Sequence, residues 1–293
     1  MKTILITGAN GQLGKEIRLF SESPKLAAYD FLFTDIDLLD ITSRKCIEEY
    51  YAEHRFDLVI NCAAYTAVDK AETESALAHL VNCTAVKNLA SVCSNLKIKI
   101  IHVSTDYVFD GCTSVPYRET DIPNPASVYG LTKYNGELEL INSDADSIII
   151  RTSWLYSSFG NNFVKTILRL GKERESLNIV YDQVGCPTYA KDLALTILDI
   201  MYKVFSETRN FKGEVYHYSN EGVCSWYDFA IEILRTAGIN CTVNPIDTSQ
   251  YPLPAKRPQY SVFNKSKIKS DFGITIPYWK DSLAMCMQRI SVL

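Results

Sequence analysis

The sequence predicts an α/β fold, a Rossmann-type doubly wound parallel sheet with a smaller C-terminal substrate-binding lobe. Three observations predict it. Short apolar runs alternate with stretches of helical periodicity through the first half of the chain. The first run ends directly in the glycine loop Gly8-Ala-Asn-Gly11-Gln-Leu-Gly14. Polar or special residues close the successive runs at Gly8, Asp35, Asn61, Ser104 and Arg151, where an open parallel sheet gathers its binding groups.

Residues 3–7, 31–35, 58–61, 99–104 and 147–151 are continuous apolar runs, as expected of strands covered on both faces. Residues 11–21, 43–54, 74–96 and 128–141 lie between them with the period of helices. Beyond Arg151 the rhythm loosens. A helix is expected over 162–171, and Gly185-Cys-Pro187-Thr188 turns into another over 190–204. A further strand and helix are expected over 215–219 and 226–237, before a tail carrying Pro245, Pro252, Pro254 and Pro258. The expected division is a dinucleotide-binding domain of residues 1–152 plus about 188–215. The substrate lobe is then about 153–187 plus 216–293.

With 293 residues, 47% hydrophobic and 22% charged, the chain can bury a large core. A net charge of −4 and a pI near 5.7 supply no basic footprint for nucleic acid. No apolar run is long enough to span a bilayer, and the N-terminus lacks a secretory leader pattern, so the expected location is the cytoplasm. The nine cysteines are scattered, without a C-x-x-C pair or metal-type spacing, which points to reduced buried thiols. The four histidines, His54, His79, His102 and His217, form no triad or ligand pattern.

The glycines have definable tasks. Gly8 permits a tight turn after the first strand, Gly11 admits a pyrophosphate close to the backbone, and Gly14 packs the helix on the strand. The helix N-terminus beside them attracts phosphate charge. The spacing is neither the usual Gly-x-Gly-x-x-Gly fingerprint nor an ATPase phosphate loop, since no Gly-Lys-Ser/Thr follows. Asp35, about 20 residues on, suits the ribose hydroxyls and would disfavour the extra phosphate of NADP. NADH is favoured on that argument, with NADPH open, and capping by Asp35 or its neighbours Asp37 and Asp40 is the plainer alternative.

Tyr129 and Lys133 are four residues apart, so a helix presents both on one face. A phenol ordinarily holds its proton to about pH 10, and a nearby ammonium lowers that value, which would make Tyr129 an acid or base near neutrality. The Thr105 hydroxyl could share the same oxygen. Phenol, ammonium and hydroxyl beside a nucleotide fold suggest carbonyl–alcohol chemistry with a nicotinamide hydride. With 18 tyrosines in the chain, the pair carries weight only together with the rest of the pattern.

Longer motifs extend that pattern: Asn61-Cys-Ala-Ala-Tyr-Thr-Ala-Val-Asp-Lys-Ala-Glu72, Ser104-Thr-Asp-Tyr-Val-Phe-Asp-Gly111, Tyr129-Gly-Leu-Thr-Lys133, Arg151-Thr-Ser-Trp154-Leu-Tyr156, Gly185-Cys-Pro-Thr188 and Arg257-Pro258. With the glycine loop they resemble the extended short-chain dehydrogenase/reductase family, and within it the dTDP-4-dehydrorhamnose reductases, over nearly the whole chain. The resemblance implies that Asn10, Gly11 and Gln12 contact the pyrophosphate, that Leu13 also lies at the cofactor, that Asp40 and Ile41 lie near the adenine, and that Ala63, Ala64 and Tyr65 line the cofactor. It implies Tyr129 as proton donor, Lys133 on the nicotinamide ribose, Thr105 and Asp106 at the keto group of a dTDP-sugar, and Trp154 on the sugar ring. Arg257 suits the nucleotide diphosphate. Some relatives hold Mg2+ at a homodimer contact, and Glu16 matches one such position, although a first-turn Glu also simply favours the helix dipole.

The reaction so implied is reduction of the C4 keto group of dTDP-4-dehydro-L-rhamnose to dTDP-L-rhamnose. One rival is a non-catalytic subunit like the β subunit of methionine adenosyltransferase, which keeps the nucleotide fold; the intact Tyr129, Lys133, Thr105 and Trp154 weigh against it. Another is a sugar-nucleotide epimerase or dehydratase. A dehydratase calls for Thr-Asp-Glu, and Tyr107 stands in place of that Glu.

Overall fold

The computed structural model describes residues 1–206 and 211–292. Its centre is a six-stranded sheet of β1 (Lys2–Thr7), β2 (Tyr29–Phe33), β3 (Leu58–Asn61), β4 (Lys99–Thr105), β5 (Ser147–Thr152) and β6 (Lys212–His217). Every neighbouring pair is parallel, and the spatial order β6-β5-β4-β3-β1-β2 reverses direction at β1. That is the doubly wound arrangement expected from the sequence, with its crevice above the carboxyl ends of β1, β3 and β4.

Alternate residues of each strand supply two cores. Ile4, Ile6, Leu58, Ile60, Ile101, Ile148 and Ile150 face one side, where Ile17 of helix α1 (Gln12–Ser21) meets Leu193, Ile197 and Met201 of the helix Ala190–Ser206. Leu5, Val59, Ile100 and Ile149 face the other, against Ile47, Val86, Leu89, Cys93 and Leu140. Side chains alternate across a strand, so continuous apolar runs are what two covered faces require.

Three expected elements differ from the prediction. The strand expected over 31–35 is Tyr29–Phe33, so Asp35 lies two residues beyond its end instead of closing it. The stretch 74–96 is not one uniform helix: Ser75–His79 passes through a π turn at Leu80–Thr84 into Ala85–Leu96. The wider turn carries Asn82 inward, where its carboxamide accepts from the Tyr65 N–H at 2.8 Å and donates to the Tyr65 carbonyl and the Thr132 hydroxyl, each at 3.1 Å. The strand expected over 215–219 is Lys212–His217, because Val215, Tyr216 and His217 pair with Ile149, Ile150 and Arg151. The helices Val128–Ile141 and Trp226–Ala237 have the predicted bounds.

A third core lies beside the sheet. Tyr156, Val164, Ile167, Leu177, Phe229, Ile233, Trp279 and Leu283 form it, from segments on both sides of the helix Ala190–Ser206. The short strands Ser176–Val180 and Thr242–Ile246 pair in parallel at its edge. All nine cysteines are free thiols, and among the described residues no helix is long and apolar enough to cross a membrane.

Candidate active site

A cleft of ≈ 790 Å³ runs over the strand ends from the glycine loop to the helix Val128–Ile141. Its floor at one end is Gly8, Asn10, Gly11, Gln12, Leu13 and Gly14, with Asp35, Asp40 and Ile41 along the side. At the other end stand Thr105, Asp106, Tyr129, Lys133 and Trp154, and Ala63 and Ala64 lie between. The structure thus brings most of the sequence-predicted residues into one groove.

The glycine loop is shaped for close approach. Gly8 has φ 64°, and a Cβ there would sit 2.6 Å from the Ala63 nitrogen. A Cβ on Gly14 would sit 2.6 Å from Ala9 Cα, so the first turn of helix α1 packs directly on the loop backbone that follows β1. Gly11 is the N-cap of α1, and no side chain caps the helix there. Its first N–H groups therefore point along the groove as donors for an anion. Asp35 braces the loop by accepting from the Asn10 N–H at 3.1 Å. Asp40 accepts from the N–H and hydroxyl of Thr42, which fixes the turn beside Ile41.

Tyr129 and Lys133 emerge on one face of their helix, as their spacing predicts. The helix is seated by a bidentate pair between Glu137 and Arg151 at the end of β5, both buried, with Nη2–Oε2 at 2.6 Å. The Thr105 hydroxyl stands near the Tyr129 phenol but donates to Asp106 at 3.1 Å. The expected lowering of the phenol by Lys133 is corrected. Burial pushes Tyr129 up to about 12, the Asp106 carboxyl adds to the rise, and the nearby Thr105 hydroxyl opposes it. Lys133 does not offset the burial because its ammonium nitrogen turns to the Val103 carbonyl at 2.8 Å and His102 Nε2 at 3.4 Å. Burial in turn lowers Lys133 to about 8, against the pull of Glu137 and Cys62.

Asp106 is only 3% exposed. Burial raises its carboxyl to about 7, opposed first by the hydrogen bond from Thr105 at 3.1 Å and by the nearby Ser261. Trp154 lines the cleft with φ 48°, its ring flat on Trp226 at a centroid distance of 3.6 Å.

Three predicted residues stand elsewhere. Tyr65 lies outside the cleft lining, because Asn82 holds its backbone and its hydroxyl donates to Glu74 at 2.6 Å. Arg257 is also outside the lining, its guanidinium spent on both oxygens of Asp69, at 2.7 and 3.0 Å. Glu16 is fully buried, and its two oxygens accept from Ser157 at 2.6 Å and Arg289 at 2.8 Å. That ion pair, rather than a cation, engages its carboxylate; among the described residues no three potential ligands stand together.

Other lining residues escaped sequence reasoning. Cys62, Thr152, Ser153 and Gly160 line the groove, and Asn162 donates to the Gln12 side chain at 2.8 Å, joining the loop before its helix to the glycine loop. Asn162 carries a readable signal, since it caps the helix Phe163–Glu173. Trp226 and Ser261 carry none, because only the folded chain brings them to Trp154 and Asp106.

The groove fits a dinucleotide. A side chain at Gly8 or Gly14 would collide with backbone, the uncapped helix end leaves N–H donors free for phosphates, and the Asp35 carboxylate lines the groove beside them.

Comparison with known proteins agrees with this geometry. The family model described as the RmlD substrate binding domain matches residues 1–292. A dTDP-4-dehydrorhamnose reductase of Aggregatibacter actinomycetemcomitans is 43% identical over 291 residues, 97% of each chain. A spore coat polysaccharide biosynthesis protein of Bacillus subtilis is 36% identical over 99% of each chain. Among solved structures, a dTDP-4-dehydrorhamnose reductase of Clostridium acetobutylicum superposes with a TM-score of 0.92 at 41% identity, covering 99% of each chain. The Bacillus anthracis enzyme, in complex with NADP, superposes equally well, at 0.92 and 39% identity over 99% of this chain and 100% of its own. The chain belongs to the RmlD substrate binding domain family, among relatives that include dTDP-4-dehydrorhamnose reductases, as its motifs implied.

Proposed function

We propose that this protein is an NAD(P)H-dependent oxidoreductase that reduces the C4 keto group of dTDP-4-dehydro-L-rhamnose to dTDP-L-rhamnose. The observation that carries the reading is that Tyr129, Lys133 and Thr105 line one end of a groove whose other end is a glycine loop. A bound reduced nicotinamide supplies the hydride. The phenol of Tyr129 keeps its proton across the physiological range and delivers it to the carbonyl oxygen as negative charge develops there. Thr105 orients the phenol and offers a second hydroxyl to the same oxygen. Lys133 lies one helical turn further along, placed for the ribose, and Trp154 offers an apolar face to the sugar ring.

The glycine loop, through Asn10, Gly11 and Gln12, holds the pyrophosphate. Residues 1–152 plus the helix Ala190–Ser206 and strand Lys212–His217 make the dinucleotide-binding domain, and the remainder forms the sugar-facing lobe. Arg257 reaches the diphosphate only by exchanging or sharing Asp69. We place the enzyme in the cytoplasm, where its free thiols remain reduced. A purely regulatory subunit would have no call for a phenol held beside a hydroxyl in a groove. The test is to mix purified protein with dTDP-4-keto-L-rhamnose and NADH or NADPH and follow the nicotinamide absorbance. Sugar-dependent oxidation is expected; its absence with both cofactors would overturn the assignment.

A further inference from the structure

Behind Lys133 lies a line of buried polar side chains that the reaction does not use directly: Thr7, Asn61 and His102, at the ends of β1, β3 and within β4. Thr7 donates to Asn61 Oδ1 at 2.7 Å, and the Ala63 N–H donates to the same oxygen at 3.1 Å. The Ala63 donor is a backbone N–H and cannot be reversed, so the carboxamide oxygen is fixed on that side. The Asn61 amino group therefore faces His102 Nδ1, at 3.0 Å. Asn61 donates, so Nδ1 must accept. His102 is fully buried and stays neutral, because burial holds its pKa well below the ordinary value. The ring's one proton is consequently on Nε2, which points at Lys133 Nζ at 3.4 Å.

An ammonium has three donors and no lone pair, whereas a neutral amine can accept one N–H. Lys133 already donates to the Val103 carbonyl at 2.8 Å. We infer that His102 is a positioning residue for Lys133: through the orientation of Asn61 it presents Nε2–H to the Lys133 nitrogen and favours the neutral amine over the ammonium while the groove is free. Charging Lys133 requires the opposite tautomer, with Nδ1–H toward Asn61, and that in turn requires the carboxamide to rotate and release Thr7 and Ala63. Both of these residues line the groove beside the glycine loop. The protonation of the lysine is thereby tied to the cofactor cradle.

The other groups around Lys133 are accounted for. Glu137, on the same helix, is held by Arg151 of β5, and Cys62 follows β3 as a buried thiol pushed up to about 12. Tyr129 is one turn away on the same helix and keeps its proton. The depression of Lys133 to about 8, caused first by burial, agrees with the donor pattern.

The inference rests on Lys133 serving the reductase reaction, but its test needs no turnover. Nitrogen NMR of histidine- and lysine-labelled full-length protein, without cofactor, reads both the His102 tautomer and the Lys133 titration. The Nε2–H tautomer and a Lys133 midpoint well below the ordinary lysine value are expected. Asn61→Asp keeps acceptors for Thr7 and Ala63 but demands Nδ1–H from His102. It should invert the tautomer and raise the Lys133 midpoint by at least about one pH unit. A wild-type His102 protonated at Nδ1, or Lys133 charged up to about pH 10, overturns the inference whether or not the variant folds. A folded Asn61→Asp protein with an unchanged His102 tautomer does so as well. Loss of sugar reduction with the expected tautomers would instead count against the function assigned above.

Discussion

Trp154 lies flat on Trp226, with ring centroids 3.6 Å apart and planes 11° apart, so one face of each indole is covered by the other. Trp154 holds φ 48° in this position, a left-handed conformation costly for a bulky residue, and the stack helps to maintain it. Only the uncovered part of Trp154 remains for a sugar ring. Trp226→Ala should therefore raise KM for the nucleotide sugar about three- to tenfold, the value of an aromatic pair, with KM for the cofactor unchanged. Trp154→Ala should do the same more strongly. A drop in Tm with both KM values unmoved would make the pair a core contact only.

Tyr129→Phe keeps the ring packed against Tyr107, whose ring meets it edge-on at 5.3 Å, but removes the transferable proton. We expect kcat to fall by about 10²–10⁴ while cofactor affinity measured by fluorescence titration stays near that of the wild type. With the phenol pushed up to about 12, the reductive rate should show no alkaline limb from Tyr129 below about pH 9. Turnover close to wild type in the variant removes Tyr129 as the acid.

Asp106 offers a stability test with a definite sign. Its folded pKa of about 7 lies above the ordinary 3.8, so the folded state retains a proton that the unfolded chain has released. The stabilising contribution is complete below about pH 3.8 and is lost as pH rises through about 7. At 1.36 kcal/mol per unit the ceiling is about 4 kcal/mol, of which relaxation will leave a part. Asp106→Asn should raise Tm at pH 8 and change it little at pH 4. An equal shift at both values would mean that the buried charge is not the cause.

Asp35 accepts from the Asn10 N–H, so Asp35→Ala would remove a brace and a charge together. Asp35→Asn keeps an acceptor and removes only the charge. The expected result is a rise in kcat/KM for NADPH relative to NADH of about fivefold, roughly 1 kcal/mol at a half-exposed site. The measurement is both cofactors with both proteins. An unmoved ratio would take Asp35 away from the ribose.

Legibility followed the range of the contacts. The glycine loop and the Tyr129–Lys133 face depend on spacing within a turn or two, and the chain spells them out. The helix Val128–Ile141 and the strand Leu58–Asn61 have their expected bounds for the same reason. The direction of Lys133 was not legible, since Val103 and His102 reach it from a strand about 30 residues earlier. Nor was the seat of Arg257, whose partner Asp69 is 188 residues away in sequence. The π turn at Leu80–Thr84 depends on Asn82 finding Tyr65 and Thr132, which periodicity cannot express.

The pair Glu16–Arg289 joins residues 273 positions apart, and Glu16 belongs to the very helix whose first turn borders the phosphate end of the groove. During synthesis that helix emerges early, and its buried carboxylate must wait for nearly the entire chain before its guanidinium partner appears. A nascent polypeptide stalled short of Arg289 would hold an uncompensated charge at the base of the nucleotide cradle, a condition that favours local opening. Ribosome-bound chains released before and after that point should differ in protection from proteolysis near α1.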